Sequence, residues 1–189
     1  MKLTNTSTLE ELIVGCKAGQ RSMQEQLYKQ TVAKMFAICM RYSKDRATAE
    51  DAMQNGYVKI FNNIHSYRNE GSAEGWIKRI MVNSAIESYR NSVKSLSLVQ
   101  LEEVHDLPST GFDLNSLGME DLLRLVQQLA DGYRMVFNMF AIEGYSHKEI
   151  AVELGISEAT SKSQLSRARS ILKQEILKME GSHYATYTG

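Results

Sequence analysis

Proline and strand patterning are both scarce in this chain. Pro108 is the only proline in 189 residues. Stretches of strictly alternating apolar and polar residues, the mark of a half-buried strand, are few. So few helix breakers and so little period-two patterning predict an all-α protein. No apolar run approaches the roughly 18 residues a bilayer-crossing helix needs, so membrane insertion is not expected. The opening "MKLTNTSTLEEL" lacks the apolar core of an export signal, which makes the cytoplasm the expected location.

Cysteine is also sparse. Cys16 and Cys39 stand alone among apolar residues, with no CxxC pair, and are expected to be buried reduced thiols. The four histidines, His65, His105, His147 and His183, are scattered and form no HExxH pair. No metal site is expected from them. There is no Gly-rich phosphate loop, no GxSxG and no plausible triad. No cofactor is therefore expected, and an enzyme is disfavoured. Finally, neither sign of charge dominates: 22 Lys and Arg stand against 22 Asp and Glu. A protein that grips nucleic acid unaided is usually more basic. A nucleic-acid role here must rest on local patches, or on a partner that supplies charge.

Helical periodicity is abundant. Leu9, Leu12, Ile13 and Cys16 share one face over 9–18. A second helix over about 22–42 carries Met23, Leu27, Met35, Phe36 and Cys39. From Arg46 to Ile64, Ala49, Ala52, Met53, Gly56, Tyr57, Ile60, Phe61 and Ile64 recur at three- and four-residue steps. "SYRNEGSAEG" breaks the pattern with two glycines and reads as a loop. A fourth helix over about 73–91 places Trp76, Ile80 and Asn83 on one side. Residues 92–115 lack a sustained period, hold Pro108 and Gly111, and are slightly acidic, as expected of a linker. Periodicity resumes with Leu117, Leu122, Leu125, Val126 and Leu129. The expected architecture is two small helical bundles, 1–91 and 116–180, joined by that linker and followed by a tail over 181–189.

The second bundle ends in "GYSHKEIAVELGISEATSKSQLSRARSILK". Ser146 and Glu149 make a capping box, Gly155 suits a left-handed turn, and Ser157 can cap the next helix. These are the parts of a helix-turn-helix. From Glu158 to Lys173 four cations face one anion, a local charge of +3. Cations match phosphates, and Lys, Arg and Ser near the front of a groove-lying helix can reach base edges.

The two halves together resemble the extracytoplasmic-function sigma factors, the smallest group of the bacterial primary-sigma superfamily. The resemblance runs from about Leu9 to Lys178. The helix-turn-helix resembles the family's fourth conserved region, which reads the minus-thirty-five element. "RATAEDAMQNGYVKIFNNIHSYRNEGSAEGWIKRIMVNSAIESYR" resembles the second region, which docks on the polymerase clamp and melts and reads the minus-ten element.

The resemblance implies roles for individual residues. Asp51, Gln54, Asn55 and Val58, at one-turn steps, would face the clamp helices of the largest polymerase subunit; many members are acidic where Asn55 stands. Tyr67 and Asn83 match positions lining a flipped-base pocket, where an aromatic wall and an amide would hold an unstacked base. Lys78, Arg79, Arg90 and Lys94 would offer cations to backbone phosphates. Lys162, Ser163, Ser166 and Arg167 fall at base-facing positions, with Thr160 and Arg169 toward the backbone. The implied partners are bacterial core polymerase, through the clamp and the flap of the second-largest subunit, and promoter DNA. Anti-sigma factors are common in the family. The residues alone also suit a LuxR-like activator, or a helical adaptor that binds only protein.

Overall fold

The computed structural model describes residues 7–96 and 119–187. Most of the expected linker lies outside the described residues. Every regular element among them is helical: α1 (Leu9–Lys17), α2 (Arg21–Tyr42), α3 (Arg46–Asn62), α4 (Ala73–Leu96), α5 (Met119–Gln128), α6 (Asp131–Phe137), α7 (His147–Leu154) and α8 (Glu158–Tyr187). A 3-10 turn, Ile64–Ser66, follows α3, and a π-helical turn, Asn138–Ile142, continues α6. The chain divides into two compact units, Met1–Ser88 and Tyr89–Gly189. Helix α4 runs five residues past the expected start of the linker, because Ser92, Val93, Lys94 and Ser95 contain no breaker. An established helix propagates readily where initiation would be costly.

In the first unit, Leu12, Ile13, Leu27, Met35, Ile60, Ile77 and Met81 are fully buried. Burying one such side chain contributes about 1.5–3 kcal/mol. Gly56 sits mid-helix, where glycine costs about 1 kcal/mol of propensity. Its reason is packing: a Cβ there would lie 2.4 Å from Met81 Sδ. Only glycine lets α3 approach Met81 of α4 so closely without displacing it. Tyr57 next to it lies between Tyr28 and Phe61, at ring separations of 4.7 and 6.2 Å. Thr31 Oγ1 donates to the Leu27 carbonyl at 2.7 Å, so the 2.8 Å contact between Thr31 and Tyr57 takes its proton from the phenol. Burial pushes the Tyr57 phenol up to about 12. Both thiols are buried and free, and burial raises Cys39 to about 12.

The second unit is built on Leu125, Val126, Leu129, Met135, Val136, Met139, Ile150, Leu165 and Ala168. At its centre is a cation, Arg134, only 3% exposed. Its guanidinium donates to the carbonyls of Gln127 at 3.0 Å and Leu129 at 2.9 Å, and to Asp131 at 2.5 Å. The end of a helix leaves carbonyls without intrahelical donors and carries partial negative charge. Arg134 answers both needs at the junction of α5 and α6. The amide of Asn138, itself buried, donates to the Arg134 carbonyl at 2.9 Å, where the backbone widens into the π turn.

Candidate nucleic-acid interface

The helix-turn-helix forms as its residues require. Ser146 Oγ accepts from the Glu149 amide at 3.2 Å, and the Glu149 carboxylate accepts from the Ser146 amide at 2.8 Å. Ser146 Oγ also donates to the Glu149 carboxylate at 2.7 Å, and that bond first, with the Ser146 amide second, holds the Glu149 carboxyl below its ordinary range. Gly155 ends α7 at φ +67°, a conformation L side chains rarely adopt. Ser157 Oγ then accepts from the Thr160 amide at 3.0 Å and starts α8.

The inward face of α8 carries Ser161, Leu165 and Ala168, all buried. Ser161 lies 2.9 Å from His147 Nδ1 at the start of α7. The His147 ring stacks on Phe140 at 4.5 Å, and the Arg169 guanidinium lies 5.6 Å over Phe140. This chain of contacts fixes how α8 sits on α7. It was not legible in the sequence, because it joins residues from the π turn, α7 and α8 that share no short-range pattern.

The outward face of α8 presents Lys162, Ser163, Ser166 and Arg167, all exposed. Lys162 and Arg167 make no hydrogen bond or ion pair among the described residues. Two hydroxyls of the expected set are already engaged: Ser163 donates to the Thr160 carbonyl at 2.9 Å, and Thr160 Oγ1 lies 2.8 Å from Ser157 Oγ. Thr160 is half-buried at the cap. Arg169, stacked on Phe140, keeps its exposure but is held against its own unit.

On α4, Arg79 and Asn83 of the first unit and Arg90 at the start of the second are exposed at steps of four and seven residues on one side, with Arg90 3.9 Å from the Glu153 carboxylate. Asn83 is therefore not a buried structural amide. Lys78 is half-buried. Tyr67 stands apart from this face. Its ring is 5% exposed, tilted against Trp76 at 5.5 Å. Its hydroxyl donates to the Gly71 carbonyl at 2.9 Å and lies 3.2 Å from Asn69 Oδ1. The ring thus closes its own loop, and it offers almost no surface to a base in this conformation.

Asp51, Gln54, Asn55 and Val58 are all exposed, in a row along α3. Val58 is 58% exposed, a sizeable apolar group in water amid polar neighbours. Gln54 borders a groove of about 410 Å³ between α2 and α3, lined also by Tyr28, Val32, Phe36, Arg46 and Met53.

Two segments of the chain match known families. "Sigma-70 region 2" matches residues 27–94, and "Sigma-70, region 4" matches residues 119–172. A helical unit of the first kind followed by a helix-turn-helix unit of the second defines a sigma-70-type transcription factor. The chain belongs to the extracytoplasmic-function RNA polymerase sigma factors. Among its relatives, the ECF RNA polymerase sigma factor SigE of Mycolicibacterium smegmatis is 26% identical over 161 residues, covering 82% of this chain and 62% of that one. The ECF RNA polymerase sigma factor SigM of Mycobacterium tuberculosis is 25% identical over 162 residues, covering 86% and 81%. A solved structure of sigma factor RpoE with the anti-sigma factor NepR, from Bartonella quintana, is 25% identical, covers 82% of this chain and 96% of that one, and has a TM-score of 0.46. No helix among the described residues is long and apolar enough to cross a membrane.

Proposed function

We propose that this chain directs promoter-specific initiation by reading two promoter elements with two different surfaces. The single observation that supports it most is the pair of exposed polar faces. Lys162, Ser166 and Arg167 line the outward side of a capped, docked α8, and Arg79, Asn83 and Arg90 line one side of α4. On α8, Arg167 and Lys162 read bases of a duplex minus-thirty-five element, while Ser163 and Ser166 stand beside them and Thr160 and Arg169 face the backbone. On α4, Asn83 hydrogen-bonds an extruded base of the minus-ten element, with Lys78, Arg79 and Arg90 on its phosphates. Tyr67 belongs to this reader as the residue that holds its loop closed.

The exposed row Asp51, Gln54, Asn55 and Val58 docks on the clamp helices of core polymerase, with Val58 as its apolar anchor. The second unit meets the flap. Core polymerase supplies the positive charge that a chain with 22 cations and 22 anions lacks. The protein acts in the cytoplasm as a regulator and not as an enzyme, with no cofactor, and an anti-sigma factor is a natural partner for it. The test is transcription in vitro with purified protein and core polymerase on a library of promoter fragments. The expected result is a new, defined set of start sites, and promoter affinity far tighter with core enzyme than without it at matched salt. Unchanged start sites, or equal affinity with and without core enzyme, would refute the proposal.

A further inference from the structure

The geometry points to Lys17 and Glu10 of α1 as the residues that position the single-strand reading loop, an assignment that rests on the promoter reading proposed above. Helix α1 lies outside the segment that matches sigma-70 region 2, residues 27–94. It is nonetheless bound to both ends of the loop between the 3-10 turn and α4. At the entry, Lys17 Nζ donates to the Tyr67 carbonyl at 2.6 Å and sits 5.7 Å from the centre of the Tyr67 ring. At the exit, the Glu10 carboxylate lies 3.4 Å from the Ala73 amide, the first of α4. A carboxylate is favoured there, where unpaired amides give a helix its positive end. Ser72 Oγ accepts from the Gly75 amide at 3.2 Å and completes that cap.

The loop needs such pins. Asn69 has φ +60° and Gly71 φ +94°, and the residues between Tyr67 and Ala73 are exposed and polar. Asparagine enters the left-handed region more readily than other L residues, but still at a cost its surroundings must meet. Inside the loop, only the Tyr67 hydroxyl reaches across, to the Gly71 carbonyl at 2.9 Å. Helix α1 is firmly seated: Leu12, Ile13 and Cys16 are buried, and a Cβ on Gly15 would come 2.4 Å from Met23 Cγ. A groove of about 360 Å³ separates α1 from the loop, with Val14, Lys17, Tyr67 and Asn69 on its walls. Lys17 thus crosses from a rigid helix to a strained loop. A loop ordered before the strand arrives loses less conformational entropy on binding. Lys17 and Glu10 touch no base in this scheme. They act through Tyr67 and the start of α4, and so through the orientation of Asn83.

The test uses holoenzyme and a fork-junction DNA carrying, as single strand, the minus-ten sequence selected from the promoter library, against the same DNA with that element scrambled. Lys17→Met keeps the aliphatic stem and removes the donor. It should cut the preference for the selected element about tenfold. Lys17→Arg should restore most of it, and Glu10→Ala should give a smaller loss. Duplex minus-thirty-five affinity and thermal stability should stay at wild-type values. Amide exchange should quicken at residues 68–72 in Lys17→Met and in Glu10→Ala. Unchanged preference in Lys17→Met, with Asn83→Ala abolishing it, overturns the inference and leaves the promoter reading intact. Unchanged preference in both variants overturns the two together. Unchanged loop exchange in both Lys17→Met and Glu10→Ala also overturns it.

Discussion

The helices of the first unit and the outward face of α8 use their cations differently. In the first unit, Lys34 bridges α2 to Glu74 of α4 at 3.0 Å, Lys59 of α3 pairs with Glu87 of α4, and Lys17 holds the Tyr67 carbonyl. Each joins two elements. On the outward face of α8 in the second unit, Lys162 and Arg167 join nothing among the described residues. The difference follows from what each proposed surface reads. A duplex offers a regular array of phosphates and base edges, so a stiff helix with uncommitted charges suffices. An extruded base must be met by a shaped pocket, so polar side chains go into fixing a loop. Exposed pairs such as Lys34–Glu74 contribute little to stability, about 0–1 kcal/mol at most. Their value lies in register.

The strongest way to break this contrast is to make the second unit soft. Arg134→Met removes the buried guanidinium from the carbonyls of Gln127 and Leu129. The expected cost is about 3 kcal/mol, because buried acceptors lose their donor. Hydrogen exchange resolved by segment should show the loss in α5 to α8 while α1 to α3 keep their protection. A matching blow to the first unit comes from Gly56→Ala, whose new methyl meets Met81 Sδ at 2.4 Å. A net loss of about 1–2 kcal/mol is expected, since forcing buried Met81 off its rotamer outweighs the roughly 1 kcal/mol of helix propensity that alanine restores. The same exchange experiment should show it in α2 to α4 alone.

Smaller effects sharpen the functional side of the comparison. Arg167→Ala should weaken promoter binding by roughly 1–2 kcal/mol with the preferred minus-thirty-five element, and by much less when that element is scrambled. Filter binding of the closed complex measures this. A uniform loss on every sequence would make Arg167 a phosphate anchor. Asn83→Ala should leave closed-complex affinity near wild type and reduce permanganate reactivity of the melted bubble. Normal melting by a folded Asn83→Ala protein would remove α4 from the reading.

The smallest expected effect concerns pH. The folded-state value of Tyr57 is raised to about 12 from an ordinary 10, mainly by burial. Its contribution to stability is therefore complete below pH 10 and is lost as pH rises from 10 toward 12. Tyr57→Phe should flatten that part of the alkaline denaturation curve, read by circular dichroism, with a modest loss at neutral pH from the vacated Thr31 hydrogen bond.

The helical class, the order of the two units and the helix-turn-helix were legible in the chain before any tertiary contact was known. Those features rest on local chemistry: the period of Ala49 to Ile64, the reciprocal caps of Ser146 and Glu149, the left-handed Gly155. The sequence also put Asp51, Gln54, Asn55 and Val58 on one face, because a helix's geometry fixes which residues share a side. What it could not determine was anything that depends on distant segments meeting. That Gly56 answers Met81, that Arg134 closes the end of α5, and that Ser161 reaches His147 beneath Phe140 are facts of packing. So is the burial of Tyr67 under its own loop, where family resemblance alone had suggested an aromatic wall. The tertiary structure also decided the place of α1, whose Lys17 lies 50 residues from Tyr67 in sequence. No periodicity links such residues, because a hydrogen bond between two elements is specified only once both have packed.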